Sequence, residues 1–412
     1  MRVFILGGYG KTGPPAARLL AQSGIVTEIT IAGRTPERAT AAAAELSANQ
    51  PATVGAILEP VDGTDAQALT AATVGYDLII NAATNDCVIP CIRAGIANGA
   101  HYCDMAWAGI LDEAAKLDPI AKAAGSTAVV ATGISPCLTN LMGVHTASQL
   151  DEVKQLQLGR AEVIDFSAGT ELVPDSFRAD PTSALAALQH YAPYLTWMLS
   201  MVKDGTRTVV DWADDAWIEI DPLEAGLSVP RLPGGPKVAR PFLSCSSLFG
   251  TLPTGVAKTE PVEAYFTPLP PDLDAAFHAQ ALRVRACEVD NEAAMAELLA
   301  MVEADPARWL TLPEGYVPPA KIWARALGTR DGRPARADCW FTPPHWDITG
   351  YYLTSVALVA AALTVLRGEV PPGVATAEQV LDPCHFFDAV AGLLGDALPD
   401  GTLLNESIEW LD

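Results

Sequence analysis

RVFILGGYGKTG, Arg2 to Gly13, decides how the first third of this chain is read. A short apolar run enters a glycine-rich stretch. Lys11–Ser23 then takes up helical spacing, with Ala16, Leu19 and Leu20 on one side and Arg18 and Gln22 on the other. Strand, turn and helix in that order give Gly8, Gly10 and Gly13 the pattern G-x-G-x-x-G. Gly8 is expected to permit the tight turn, Gly10 to let backbone approach a pyrophosphate, and Gly13 to let the helix pack on the strand. The helix N-terminus would turn N–H groups and partial positive charge toward the phosphates. Tyr9, Lys11 and Thr12 belong to the same loop. Pro14 and Pro15 are tolerated in a first helical turn, where a missing N–H costs nothing.

Outward from this unit the alternation continues. Strands are expected at Glu28–Ala32, Val54–Leu58, Asp77–Asn81, His101–Cys103 and Thr127–Ala131, with helices at Pro36–Ala48, through Ala72, at Asp86–Asn98 and at Leu111–Ala124. Continuous apolar strands separated by helices are the pattern of a doubly wound parallel sheet, here of Rossmann type. NAD-binding domains usually end the second strand with Asp or Glu for the ribose 2′-hydroxyl. This chain reads IAGRTPER there, with Arg34, Thr35 and Arg38. A guanidinium presents a planar fork of donors suited to a 2′-phosphate, so the expected cofactor is NADP (NADPH). Asp62, after the third strand, falls where adenine is contacted. Asn81, Ala82 and Ala83 end the fourth strand, at the carboxyl edge where open α/β sheets bind ligands. Asn81 is equally readable as a helix cap.

Beyond about Leu150 the strands lengthen and alternate, as in VKQLQLGRAEV, and Pro- and Gly-rich turns intervene. This is expected to be an α+β region with a mostly antiparallel sheet. Ile322–Trp340 is read as a hairpin turning at Arg330–Gly332, with Asp331-Gly332 supplying the turn chemistry. From Asp347 the pattern is helical. Tyr351–Leu366 is apolar but shorter than the ~20 residues of a spanning helix, and reads as a buried core helix.

Composition narrows the function. Of 412 residues, 50% are hydrophobic and 18% charged, and the net charge is −23. That balance argues against nucleic acid as a partner, since phosphate contacts need clustered Lys and Arg. The start of the chain shows no export signal and no segment reads as membrane-spanning, so a cytoplasmic protein without membrane association is expected. The eight cysteines contain no C-x-x-C and read as reduced core thiols. Cys87, Cys91, His101 and Cys103 match no familiar zinc spacing, and no metal is expected.

Four stretches together resemble the saccharopine dehydrogenase-like oxidoreductases of the saccharopine reductase type, whose relatives include carboxynorspermidine dehydrogenase and a lysine dehydrogenase. They are GGYGKTG with AGRT; DLIINAATND followed by CIRAGIANGAHYCDMA; ATGISPCLTNLMG; and the run from Asp347 through DPCHFF at Asp382–Phe387. Coverage is end to end, with only a loose match over roughly 152–319. Cys137 stands where the family usually has Gly, Ser135 where many members have Asp, and Ala377 where Pro usually precedes Glu378.

The resemblance implies three parts: a Rossmann domain over 1–135, a substrate and dimerisation domain over 136–346, and C-terminal helices over 347–412 returning to the first domain. A cleft between domains and a homodimer come with it. It also implies chemistry at a C–N bond: reduction of an imine formed between an amine and an aldehyde, or the reverse oxidation, on an amino-acid or polyamine adduct. An iminium is already activated, so no sharply marked general acid is expected. Asp104, with His101 and Tyr102, is placed at the nicotinamide end of the sheet, either to stabilise a cationic iminium or orient an amine, or to cap a helix or tie a loop. His145 is read as reaching the cleft or as a core histidine. Gly133, Pro136, Thr139 and Asn140 are expected beside the nicotinamide, with Cys137 as filler or nucleophile. Arg160, Arg178, Arg231, Arg240, Arg283 and Arg285 are candidates for a substrate carboxylate. His345, Trp346 and Tyr351 are candidate cleft residues. Two other functions fit the same fold: reduction of an activated double bond in a lipid or natural-product intermediate, and dinucleotide binding without turnover.

Overall fold

The computed structural model describes residues 1–48, 50–105, 110–161, 198–203, 206–211, 218–220, 237–241, 262–266, 271–305, 308–309, 321–341, 350–398 and 403–411. The chain divides into two units. The first holds Met1–Gln149 and Gly350–Leu404, the second most of the stretch between, together with Asn405–Asp412.

The first unit is built on a seven-stranded parallel sheet. Its strands are β1 (Arg2–Leu6), β2 (Glu28–Ala32), β3 (Thr53–Ala56), β4 (Leu78–Asn81), β5 (His101–Asp104), β6 (Thr127–Val130) and β15 (Gly373–Thr376), in the order β15-β6-β5-β4-β1-β2-β3. Chain order reverses between β1 and β4, which is the switch point of a doubly wound sheet. The helices are α1 (Gly13–Gln22), α2 (Pro36–Leu46), α3 (Ala66–Ala72), α4 (Val88–Asn98), α5 (Leu111–Ala115), α6 (Asp118–Ala124), α7 (Leu138–Ala147), α10 (Tyr351–Leu366), α11 (Ala377–Val380) and α12 (Pro383–Leu394). Asp65 caps α3 through its Oδ1, which accepts from the N–H groups of Gln67 at 2.9 Å and Ala68 at 3.0 Å. The single helix expected over Leu111–Ala124 is two, broken around Lys116–Leu117 ahead of Pro119.

The strands are apolar on both faces because helices cover both. Val3, Phe4, Ile5, Ile29, Ile31, Leu78, Ile79 and Ile80 are fully buried. α10 is apolar on every side for the same reason: it lies in the core, packed on α1, α12 and β5. Among the described residues no helix is long and apolar enough to cross a membrane.

The second unit carries a nine-stranded sheet. It contains β7 (Glu152–Ala161), β8 (Met198–Lys203), β9 (Thr206–Asp211), β10 (Ile218–Ile220), β11 (Lys237–Pro241), β12 (Val262–Phe266), β13 (Lys321–Arg330), β14 (Arg333–Phe341) and β16 (Asn405–Trp410), with helices α8 (Pro271–Arg285) and α9 (Asn291–Ala304) beside it in sequence. All its pairings are antiparallel except β12 with β7. β13 and β14 form the expected hairpin. Asp331 and Gly332 have φ of +51° and +71°, the left-handed pair that a two-residue turn matching strand twist requires. Arg325 and Asp338 face each other in register, and the guanidinium Nε donates to the carboxylate at 2.6 Å.

Two features differ from the expected organisation. The first unit extends through α7 to Gln149 rather than ending near residue 135. The C-terminal segment is not purely helical: it adds β15 to the first sheet, and its last strand, β16, pairs with β14 in the second. If α10 is core, Leu358→Ala should destabilise the protein by about 2–5 kcal/mol, the usual cost of deleting a fully buried leucine. Urea denaturation checks this, and a loss below ~0.5 kcal/mol would show a helix that packs on nothing.

Candidate functional site

Register fixes where the site lies. Ala32 pairs with Leu6, Leu6 with Asn81, and Asn81 with Asp104, so the carboxyl ends of β2, β1, β4 and β5 form one row across the sheet. The turns that follow these strands carry most of the expected site residues.

In the first turn the tight bend belongs to Gly7 rather than Gly8. Gly7 has φ +76°, and a Cβ built there would sit 2.8 Å from the Ala82 carbonyl oxygen. Gly7 N–H donates to Ala32 O at 2.8 Å and Gly10 N–H to Gly7 O at 2.9 Å, closing the loop on itself. A Cβ on Gly8 would meet the Ile31 side chain at 2.7 Å. One on Gly13 would meet Gly8 Cα at 2.5 Å, a backbone contact that nothing flexible can relieve. Gly10 and Lys11 face solvent, so the loop backbone can be approached from outside. Pro14 and Pro15 remove two of the N–H groups that α1 would otherwise offer, leaving those of the loop and Gly13 as its donors. α10 supports this loop from the C-terminal part of the chain: Ser355 Oγ donates to Thr12 O at 2.9 Å, and the Lys11 ammonium lies 4.9 Å from the Tyr351 ring centroid.

The end of β2 brings Arg34, Thr35 and Arg38 beside Tyr9. The Tyr9 hydroxyl accepts from Thr35 N–H at 3.3 Å, and Arg38 lies over the Tyr9 ring at 4.8 Å. Arg34 and Arg38 are both exposed. Asp62 is close enough for the Arg34 charge to act on it. Its carboxyl is held below the ordinary value, first by hydrogen bonds from the Thr64 N–H and hydroxyl and to a lesser degree by Arg34.

The ends of β4, β5 and β6 are joined by one buried chain of polar groups. Asn81 Oδ1 accepts from Ala83 N–H at 3.0 Å and its Nδ2 donates to Thr84 O at 3.2 Å, so the residue ties the turn after β4 and is not a helix cap, since Thr84 and Cys87 hold the N-cap positions that follow. The same Nδ2 lies 3.5 Å from the Tyr102 hydroxyl, which donates to Asp104 Oδ2 at 2.7 Å. Asp104 Oδ1 accepts from Ala131 N–H at 2.6 Å. Asp104 is fully buried. The contacts are those of the loop-tying role: Oδ1 and the Asp104 backbone carbonyl, which accepts from Thr132 N–H at 2.7 Å, hold the segment that leads into Gly133, while Oδ2 is held by Tyr102. Burial first, and then the Asp104 charge, pushes the Tyr102 hydroxyl and the Cys103 thiol above their ordinary values.

His101 is not at this edge. It opens β5 and pairs with Leu78, three residues and about 10 Å from Asp104. Its Nδ1 accepts from Thr127 N–H at 3.1 Å, and burial lowers its pKa. His145 lies in the last turn of α7, two turns beyond the loop, with its ring against Phe387 and Nδ1 3.9 Å from Cys384 Sγ. Both histidines are held by the fold of the first unit, and neither stands with Asp104.

The loop after β6 runs from Gly133 to the start of α7, with a cis peptide before Pro136. Cys137, at a position where the resembled family has Gly, adopts φ +97°, which explains why Gly suits it and costs a side chain roughly 1–3 kcal/mol of strain. The thiol is fully buried. Burial first, with Glu378 next, pushes it well above its ordinary value, so it is a filler and not a ready nucleophile. Beneath the loop, Ser135 Oγ lies 2.8 Å from Thr139 Oγ1, Thr139 Oγ1 donates to Asn140 Oδ1 at 3.2 Å, and Asn140 Nδ2 donates to Glu378 Oε1 at 3.0 Å. Sequence reasoning passed over Glu378 and Ser355. Each reaches the site across more than 200 residues of chain, and no local spacing signals such a contact.

Among the other candidates, Arg283 on α8 is ion-paired with Glu297 on α9. Arg160, Arg240 and Arg285 fall on β7, β11 and α8. Arg178, Arg231, His345 and Trp346 lie outside the described residues.

The glycine turn, the row of strand ends and the exposed arginines after β2 define a dinucleotide-binding α/β domain. Residues 3–129 match the family of the saccharopine dehydrogenase NADP binding domain. Its first domain is thus similar to a family of NADP-binding domains. The whole chain also shares a fold with apo histidine-tagged saccharopine dehydrogenase (L-Glu forming) from Saccharomyces cerevisiae, at 14% identity and a TM-score of 0.57, over 99% of each chain. A short-chain type dehydrogenase/reductase from Mycobacterium ulcerans overlaps 31% of this chain and 65% of its own, at 14% identity and TM-score 0.27. The NADP complex of RhlG from Pseudomonas aeruginosa overlaps 31% and 69%, at 18% identity and TM-score 0.27.

Two outcomes are expected of substitutions here. Arg34→Asp should weaken NADPH binding by orders of magnitude and spare NADH, as read by fluorescence titration of both; equal loss for the two would remove the 2′-phosphate role. Asp104→Asn turns an acceptor into a donor against either Tyr102 or Ala131. It should cost about 1–3 kcal/mol of stability, and an unchanged melting curve would contradict the loop-tying role.

Proposed function

We propose that this protein is an NADPH-dependent reductase of imines, joining an amine to an aldehyde on an amino-acid or polyamine scaffold, or running the reverse oxidation. The observation that carries this reading is the family match of residues 3–129, supported by an Arg34–Arg38 segment built to receive a 2′-phosphate. The residues fit the cofactor: Gly7 and Gly13 stand where a Cβ would strike backbone, and Gly10 and Lys11 leave the turn open to a pyrophosphate. NADPH, when bound, supplies a hydride.

Condensation of amine and aldehyde releases water and forms the C=N bond. The iminium carbon receives the hydride with its electron pair, the π pair moves to nitrogen, and the product is a secondary amine. Nitrogen is already protonated before hydride arrives, so the protein has to position rather than protonate. The Gly133–Asn140 loop and the Asp104 tie are suited to that work: they hold backbone and hydroxyl groups in place at the edge of the sheet. A homodimer in the cytoplasm is the setting this reading expects, and light scattering of the purified chain tests the first part.

The test is NADPH consumption, with NADH in parallel, against amino acids and polyamines each paired with aldehydes and semialdehydes. Turnover with NADPH in a defined pairing supports the proposal. NADPH binding with no turnover in any pairing, but consumption with an enoyl acceptor, would replace it with double-bond reduction.

A further inference from the structure

We infer that Glu378 sets the direction of a buried hydrogen-bond relay, so that Ser135 meets the bound ligand as an acceptor only and selects an N–H donor there. The inference rests on the NADP(H) reading. A carboxylate offers only acceptors, so the Asn140 amide must turn its Nδ2 toward Glu378, as it does at 3.0 Å. Asn140 Oδ1 then faces Thr139 and takes the one proton of the Thr139 hydroxyl at 3.2 Å. With that proton engaged, the 2.8 Å contact between Thr139 and Ser135 requires Ser135 to donate. The Ser135 proton is therefore committed inward, and what remains for a ligand is a lone pair. Asn140 is fully buried and Thr139 and Glu378 nearly so, whereas Ser135 is partly exposed and forms the solvent end of the relay.

Position gives this polarity a use. The loop follows β6, on the β4-β5-β6 side of the switch point, opposite the adenine side marked by Arg34 and Arg38. Two groups of the proposed reaction bring N–H donors to that side: the nicotinamide carboxamide and the amine nitrogen of the substrate. Where Ser135 replaces an Asp of the resembled family, the relay preserves an acceptor at that position without a charge.

Exchanging acid and amide tests the inference. Glu378→Gln lets either end of the new amide face Asn140, so the relay loses its direction. Combining Asn140→Asp with Glu378→Gln restores it: the new amide donates to the new carboxylate, and that carboxylate accepts from Thr139. The ligand probes are NADP and its 3-acetylpyridine analogue, in which a methyl ketone replaces the carboxamide, together with whichever amine the enzyme turns over.

If the carboxamide is the donor, the wild type should prefer NADP by about tenfold, the worth of one good hydrogen bond. Glu378→Gln should abolish the preference, and the double variant should regain it. If the amine is the donor, both dinucleotides bind alike. The amine KM should then rise about tenfold in Glu378→Gln and return in the double variant, with kcat little changed. Ser135→Ala should show the same loss with Glu378 intact, which keeps the test readable if Glu378→Gln does not fold. Ser135→Ala behaving as wild type in both arms, or a double variant no better than the single, would overturn the inference. Failure of the wild type to bind NADP at all would remove the functional reading and this inference with it.

Discussion

The contact between the first turn and the end of β4 constrains everything around it. Gly7 can hold φ +76° against the Ala82 carbonyl only because it lacks a Cβ, and Gly13 can lie on Gly8 for the same reason. These two backbone contacts bring α1 down onto the sheet and leave the loop between them with its polar groups outward. They also fix β1 beside β4, where chain order reverses and a crevice opens at the strand ends. Cofactor affinity, the seating of α10 on the loop through Ser355, and the alignment of Asn81 with Asp104 all assume that geometry.

The rest of the site is held by polar groups that never reach solvent. Asn81, Tyr102 and Asp104 tie three strand ends together, and Glu378, Asn140 and Thr139 tie the loop after β6 to α11, the short helix that follows β15. A buried polar group is costly unless paired, so each chain of partners rigidifies its loop while it is satisfied. This division of labour suits hydride transfer, in which the cofactor carries the chemistry and the protein holds geometry. Asp104 and Cys137 are both buried, and the partners of Asp104 are structural.

Much of this was legible in the sequence, for identifiable reasons. Glycine at a left-handed or crowded position is a direct record of backbone geometry, so the turn from β1 to α1 could be read, although the tight bend moved from Gly8 to Gly7. Arg34 and Arg38 were readable because they follow a strand whose end was plain from its apolar run. His101 misled because a four-residue strand does not announce which of its ends a residue occupies, and the ligand edge is the other one. Asp104 could be read as iminium partner or loop tie, and only its two short hydrogen bonds decide between them. β15 escaped because GVAT is a short segment between two helices, and β16 because its side chains are exposed on both faces and carry no alternation of burial. Glu378 and Ser355 act over distances in sequence that no periodicity encodes.

The central proposal is that the carboxyl edge of the first sheet binds NADP(H) from the Arg34 side to the Ser135 side. Hydrogen exchange of backbone amides, measured with and without NADPH, addresses that binding most directly. Slowed exchange confined to three loops, at residues 7–13, 33–38 and 131–140, is the expected result. Unchanged exchange in those loops, with protection elsewhere in the chain, would contradict it.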